Sequence, residues 1–247
     1  NFKYLNWKNP DSRGFSFKIM NFHIITIFPK IFNSYFSESI IKRAQEKNKV
    51  KIKILNLRDF TKDKHKKVDD RPFGGGAGMV LMAEPILNAV QKIKLNKSAK
   101  VVVLSAKGKQ FNQKMAYDWS KKYKNFIFVT GRYEGIDERV TKILKAEEIS
   151  IGPYIVTDGD IAVMAVVSAL TRLVPNVINW SSLEDESFLS KNISKEAKTG
   201  RLEYPHYTRP EVLKYKGANY CVPKVLISGH HINIKNWREK HSKIFKF

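Results

Sequence analysis

Cysteine is almost absent: Cys221 is the single thiol in 247 residues, so no intrachain disulfide can form and neither a cysteine-rich zinc site nor a CxxC redox pair exists. A reducing, cytoplasmic setting fits that usage. Long apolar runs are also missing. The longest near the middle, Ile161-Ala-Val-Met-Ala-Val-Val167, falls far short of the ~20 residues that a membrane-spanning helix needs. Acidic residues are scarce beside basic ones, 23 Asp and Glu against 45 Lys and Arg, for a formal net charge of +22. Such an excess attracts polyanions and makes nucleic acid the first candidate partner, although a lysine-rich background composition would account for part of it. The basic residues are spread along the chain and form no polybasic block of the kind that seats on an anionic membrane. Histidines are few, and the pair His230-His231 has no Cys or HxxxH companion, so no metal site is expected from it.

What is present reads as an alternation of strands and helices. Phe22-His-Ile-Ile-Thr-Ile-Phe28, Val50-Lys-Ile-Lys-Ile-Leu55, Lys100-Val-Val-Val-Leu104 and Phe126-Ile-Phe-Val-Thr130 are short apolar or alternating runs with helix-period stretches between them. That order predicts an α/β fold with a mostly parallel sheet covered by helices. Asp160 is placed to cap a helix over Ile161 to Leu173, apolar on nearly every face and therefore central or in a subunit interface. Asn1 to Ile19 is polar-aromatic without periodicity and without the apolar core of a signal peptide, and is read as an extension of no assigned role. From Asn179 to Tyr204 polar and charged residues dominate, as in a linker. A small helical module follows, with a turn or short bridge at Val222 to Gly229 and a helix from His231 to Lys243. The expected division is thus 1–19, 20–178, 179–204 and 205–247.

The densest chemistry lies in Val129-Thr-Gly-Arg-Tyr-Glu-Gly-Ile-Asp-Glu-Arg139 and Ser150-Ile-Gly-Pro-Tyr154, where glycines and ionisable residues crowd the exit of one apolar run and the entry to the next. Gly131 lets the backbone turn or approach a ligand where a Cβ would collide, and ligands of such folds sit at the carboxyl ends of strands. Gly74-Gly-Gly-Ala-Gly78 looks like a phosphate-cradling loop but lacks the Lys-Ser/Thr of a P-loop and the dinucleotide spacing. With Arg71 before it and Lys62, Lys64, His65, Lys66 and Lys67 upstream, it suits an RNA backbone and a flipped base better than a nucleoside triphosphate.

Taken together with Arg58-Asp-Phe60, Val68-Asp-Asp-Arg-Pro-Phe-Gly-Gly-Gly-Ala-Gly-Met79 and Pro205-His-Tyr-Thr-Arg-Pro-Glu-Val212, these segments resemble the bacterial tRNA (guanine-N1)-methyltransferases. The resemblance runs from about Met20 to Ser242, with the motifs in order and at compatible spacing. It implies a deep trefoil knot in the α/β domain, a homodimer whose active site joins both subunits, S-adenosyl-L-methionine as methyl donor, Mg²⁺ as an activity requirement with no site identifiable here, and tRNA as substrate, methylated at N1 of the guanine immediately 3′ of the anticodon.

By position in the matching motifs, the resemblance assigns the donor to Leu104, Ser105, Gly108, Gly131, Glu134, Ile151, Gly152, Pro153, Tyr154, Ile155 and Val156. It assigns tRNA to Asp69, Arg71, Gly75, Gly76, His206 and Arg209. Methylating guanine N1 requires removal of a ring proton, which a carboxylate base can take while an arginine stabilises charge growing on O6. Arg172 matches the family's arginine, though it would also suit a helix C-terminus as a dipole-complementing charge. The base falls in Asp185-Glu-Ser-Phe188: anchoring on Ser187-Phe188 makes it Glu186, and a one-residue shift makes it Asp185. Two departures from the family pattern stand at the pocket edge, Asp158 where a second glycine is usual and Ala162 where a proline is usual; the first is expected to narrow a turn.

Overall fold

The computed structural model describes residues 19–93, 99–179, 182, 187–188 and 199–246. Two compact units divide at Ile178/Asn179. The larger one begins its sheet with β1 (Met20–Thr26), followed by the short helix α1 (Asn33–Phe36), α2 (Ser39–Glu46) and β2 (Val50–Asn56). A two-residue pair, β3 (Asp69–Asp70) and β4 (Val80–Leu81), brackets the glycine loop, and α3 (Ala83–Lys92) follows. Then come β5 (Ala99–Gln110), α4 (Gln113–Lys122), β6 (Asn125–Thr130), α5 (Glu138–Leu144), β7 (Glu147–Ser150) and α6 (Gly159–Arg172). The five strands β2-β1-β6-β5-β7 pair in that order, all parallel.

Period two in the strands splits one apolar run between two cores. Phe22, Ile24, Phe126, Phe128, Val102 and Leu104 pack on one face with Ile41 of α2, Trp119 of α4 and Val163, Val166 and Leu170 of α6. Ile25, Ile127, Val129 and Val103 pack on the other face with Ile86 and Ala89 of α3 and Val140 of α5. Fully buried Phe22, Phe126 and Phe128 lie with ring centroids 5.6 to 6.3 Å apart, and burying each contributes about 1.5–3 kcal/mol. Both faces being covered is what lets an all-parallel sheet persist.

One strand goes unread in the sequence, and two expectations for α6 need correction. β7 is not legible as a strand from the sequence: it is a four-residue edge element carrying two glutamates, tied down by Glu147 to Lys100 and by Glu148 to Lys107. The helix α6 starts at Gly159, and its cap is Asp158, whose side chain accepts from the amides of Asp160 and Ile161 at 3.0 and 3.3 Å. Asp160 instead lies one residue into the helix and is 1% exposed. Within a single chain α6 is not central, since Ile161 stays 48% exposed.

In the second unit, β8 (Thr199–Leu202) pairs antiparallel with β11 (Lys243–Lys246), and β9 (Val212–Tyr215) with β10 (Ala218–Cys221). The helices are α7 (Lys224–Ile227) and α8 (His231–His241), so the module expected to be helical is mixed, and α7 occupies part of the expected turn. The hairpin turn is Lys216-Gly217, both at positive φ, which suits glycine and the tight connection of paired strands. No side chain of α7 or α8 is fully buried. Ring contacts supply order in place of a core, with Trp237 stacked on His241 at 4.1 Å and Arg238 over Tyr204 at 4.9 Å.

Burial holds the Asp160 carboxyl above the ordinary aspartate range; the Thr26 and Thr130 hydroxyls beside it offset this in part, and Asp158 adds to it. Neither carboxyl oxygen has a hydrogen-bond partner at good geometry, and Thr130 gives its proton to the Ile25 carbonyl. The folded state therefore keeps the proton to higher pH than the unfolded chain does. Its cost to stability is absent below the unfolded aspartate pKa, about 3.9, grows as pH rises, and is complete above the folded pKa. Asp160→Asn removes the ionisation, so its unfolding free energy in urea should gain on wild type progressively from pH 4 to pH 8. A constant difference across that range would contradict this.

Candidate functional site

The carboxyl ends of β5, β6 and β7 open onto a cavity of about 470 Å³, within the roughly 300–1,000 Å³ usual for small-molecule sites. One wall is the exit of β6, Gly131 to Ile136; another is Ile149 to Ile151 with Tyr154 to Gly159, from the end of β7 to the start of α6; Val103 to Lys107 of β5 make the third. Of the residues assigned to the donor, Leu104, Ser105, Gly131, Glu134, Ile151, Tyr154, Ile155 and Val156 lie in this lining. Gly108, Gly152 and Pro153 do not.

Steric space explains the glycines. A Cβ on Gly108 would sit 2.4 Å from the Ile149 amide nitrogen, so this glycine serves the close approach of β7 to β5 beside the register shift at Leu104/Lys109. A Cβ on Gly152 would strike the Tyr154 ring at 2.3 Å; the residue acts on the pocket through that ring. Ser150 Oγ donates to the Gly152 carbonyl at 2.9 Å and accepts from its amide at 3.2 Å, closing the turn. A Cβ on Gly131 would be 3.0 Å from the Leu104 carbonyl, which leaves the neighbouring strand ends close together. Tyr154 and Ile155 are 55% and 83% exposed, apolar surface of the kind a flat ligand covers.

Ionisable groups ring the cavity. Lys107 donates to Glu138 at 2.7 Å and lies 3.4 Å from Glu148; the Glu138 bond and the Glu148 charge hold the Lys107 ammonium above its ordinary pKa, and Lys107 in turn lowers that of Glu138. Arg132 and Asp158, both lining residues whose pairing the sequence does not show, form an ion pair at 3.2 Å. Their spacing of 26 residues hides the pairing; the signal that could have found it is an acid directly before a glycine-started helix. Asp158 sits in extended backbone (φ −162°) that any residue adopts, so the expected narrowing of a turn does not occur.

The glycine loop returns the chain to the same rim. Leu81 donates its amide to the Gly135 carbonyl and Glu134 its amide to the Met79 carbonyl, each at 3.0 Å. Gly74, Gly75, Gly76 and Gly78 all have positive φ, and a Cβ on Gly78 would meet the Glu134 carboxylate at 2.6 Å. Asp69 lies in β3, half-buried, and Arg71 is exposed beside the loop. Arg172 is at the far end of α6 and not in the cavity lining; at 1.5 Å per residue it is about 20 Å along the helix from Gly159. In the second unit His206 lies 3.0 Å from Glu203 and both it and Arg209 are exposed. Asp185 and Glu186 lie outside the described residues. Ser187, next in the chain, donates its amide to Glu203 at 3.2 Å and accepts from the Glu203 amide at 3.0 Å.

Comparison with known proteins agrees with the residue-level resemblance. A protein called tRNA (guanine-N(1)-)-methyltransferase from Clostridium botulinum (strain Alaska E43 / Type E3) is 48% identical over 223 residues, 90% of this chain and 87% of its own. Proteins of the same description from Clostridioides difficile (strain 630) and Mycoplasma capricolum subsp. capricolum are each 46% identical, over 90% and 91% of this chain and 92% and 88% of theirs. The family model described as tRNA (Guanine-1)-methyltransferase TrmD matches residues 20–245. With a cavity at the strand ends and a match over nearly its whole length, the chain belongs to the tRNA (Guanine-1)-methyltransferase TrmD family.

Proposed function

We propose that this protein transfers a methyl group from S-adenosyl-L-methionine to N1 of the guanine immediately 3′ of the anticodon in tRNA. The observation that carries the reading is the cavity at the ends of β5, β6 and β7, walled by apolar side chains and bare glycine backbone, in a chain of this family. Leu104, Ile151, Tyr154, Ile155 and Val156 offer faces for an adenine, and Gly131 and Gly135 carry no side chain that would keep a ribose or an amino-acid end away from the wall. Glu134 supplies a carboxylate for a cationic group. When bound, the donor supplies an electrophilic methyl on a sulfonium.

Guanine N1 carries a proton, so its electron pair must be freed before it can form the bond to carbon. Glu186 takes that proton in this reading, with Asp185 as the alternative, and Arg172 meets the negative charge that grows on O6. Asp69, Arg71, Gly75 and Gly76 flank the rim where a base would enter, and His206 and Arg209 contact the tRNA from the second unit. Among the described residues no group of three or more His, Cys, Asp or Glu is arranged to hold a metal ion, and no step here runs through Mg²⁺. The trefoil knot implied by the resemblance belongs to the same reading. So does a cytoplasmic setting, where tRNA is found; among the described residues no helix is long and apolar enough to cross a membrane.

A homodimer completes the site. Arg172 stands about 15 Å along α6 from Ala162, the last residue of that helix in the cavity lining of its own chain, a distance no arginine side chain spans, so the arginine serving each cavity comes from the other copy. Ile161 and Ala165 leave an apolar strip on α6, continued by Phe28, Ile31 and Tyr35, whose hydroxyl bonds Ser168 of that helix at 2.9 Å. Burial of such a strip against a second copy follows from its exposed apolar area.

Glu186→Gln should slow single-turnover methyl transfer by ~10²-fold or more, the scale of a lost general base, while Asp185→Asn is mild and donor affinity is unchanged in both. Severe loss in the Asp185 variant alone would move the base to that residue, and two active variants would end the carboxylate mechanism. tRNA binding should weaken steeply between about 50 and 200 mM salt, as expected when Lys and Arg release counterions from phosphates; a flat response would make the charge of +22 mere background. For the dimer, Arg172→Ala and Gly152→Val should each be inactive alone, yet active when co-expressed as mixed dimers. An inactive mixture would show that arginine and cavity act within one chain.

A further inference from the structure

We infer that the Arg132–Asp158 ion pair is a strut that fixes the spacing of two facing cavity walls and thereby sets how tightly the methyl donor is held; this rests on reading the cavity as the donor site. Arg132 Nη2 lies 3.2 Å from Asp158 Oδ2, with the carboxylate side chain 6% and the guanidinium side chain 27% exposed. One carboxylate carries two separate duties. Oδ1 caps α6 through the Asp160 and Ile161 amides, while Oδ2 takes the Arg132 bond and the Thr157 hydroxyl at 3.0 Å.

The guanidinium also lies over the Phe28 ring, 4.3 Å from its centroid, so Arg132 joins the chain after β1, the chain after β6 and the chain before α6. The last two of these segments line the cavity. Tyr133 and Glu134 follow Arg132 in the lining, and Tyr154 to Thr157 lead into Asp158. Among the described residues, two ties join these walls: the Gly159 amide to the Gly131 carbonyl at 2.8 Å, and this ion pair. The backbone bond fixes only the foot of the loop. The ion pair acts at side-chain height, beside the exposed Tyr154 and Ile155.

Arg132 Nε is buried without a hydrogen-bond partner. An arginine placed only for stability would be poorly used there, because an unmet buried donor is costly; one that spaces two walls must sit where the walls are, whether or not each donor is satisfied. Neither residue needs to touch the donor. They are positioning residues, acting through Glu134 on one side and Tyr154 and Ile155 on the other.

The test uses the full chain and isothermal titration with S-adenosylmethionine and S-adenosylhomocysteine, together with steady-state kinetics. Asp158→Asn keeps the capping oxygen and breaks the ion pair; Arg132→Met breaks it and leaves the cap untouched, so it decides the question even where the first variant loses its helix start. Each should weaken donor binding on the order of tenfold, and the double variant should be no weaker than either single one, as for residues acting through one contact. KM for the donor should rise with kcat near wild type, and Arg132→Lys should recover part of the affinity. Wild-type affinity in the Arg132→Met variant, or losses that multiply in the double variant, would overturn the strut while leaving the cavity assignment standing. Failure of the wild-type protein to bind either compound would overturn the cavity assignment and the strut with it.

Discussion

Gly159 donates its amide to the Gly131 carbonyl at 2.8 Å, and a Cβ on Gly159 would lie 2.8 Å from the Gly131 nitrogen. Two backbones meet there with no side chain between them. The start of α6 is thereby drawn against the exit of β6, and the rest of the site inherits that closeness. The positive end of the helix dipole is brought to the cavity wall, Asp158 is left at the position where a cap is needed, and the next acidic residue, Asp160, has nowhere to go but beneath the strand ends beside Thr26 and Thr130. A buried, poorly satisfied carboxyl is the local cost of seating the helix so near.

The two units divide the work by how they are held together. In the larger one, aromatic and branched side chains lock both faces of a parallel sheet, so its loops leave from a rigid edge and can keep a small cavity in shape. The smaller unit has no fully buried side chain in its helices and relies on stacked rings and short antiparallel pairs. Local opening is easier for such an arrangement.

Strands with continuous apolar character are plain in the sequence, because Phe126 to Thr130 and Lys100 to Leu104 have no other way to be buried on both faces. β7 is not, since its burial comes from position at the sheet edge and from Glu147 and Glu148 finding lysines on β5. The cavity-lining glycines and apolar residues can be read from motifs that lie contiguous in the chain. The pairing of Arg132 with Asp158 cannot, because a tertiary ion pair has no period. The general preference of Asp for helix caps points to Asp160 as readily as to Asp158; with an aspartate on either side of Gly159, only the backbone geometry says which one is outside the helix. Strands in the C-terminal unit escape for another reason: β9 and β10 are exposed on both faces, so they show no alternation to detect.

Tyr154 and Ile155, 55% and 83% exposed at the mouth of the cavity, give ligand binding a thermal character of its own. Covering apolar surface makes the heat capacity of association negative, so the enthalpy of binding must become more favourable with every degree of warming. The affinity then passes through a broad maximum instead of falling steadily. A cavity that leaves its own hydrophobic wall in water thus builds a temperature optimum into occupancy before any chemistry begins.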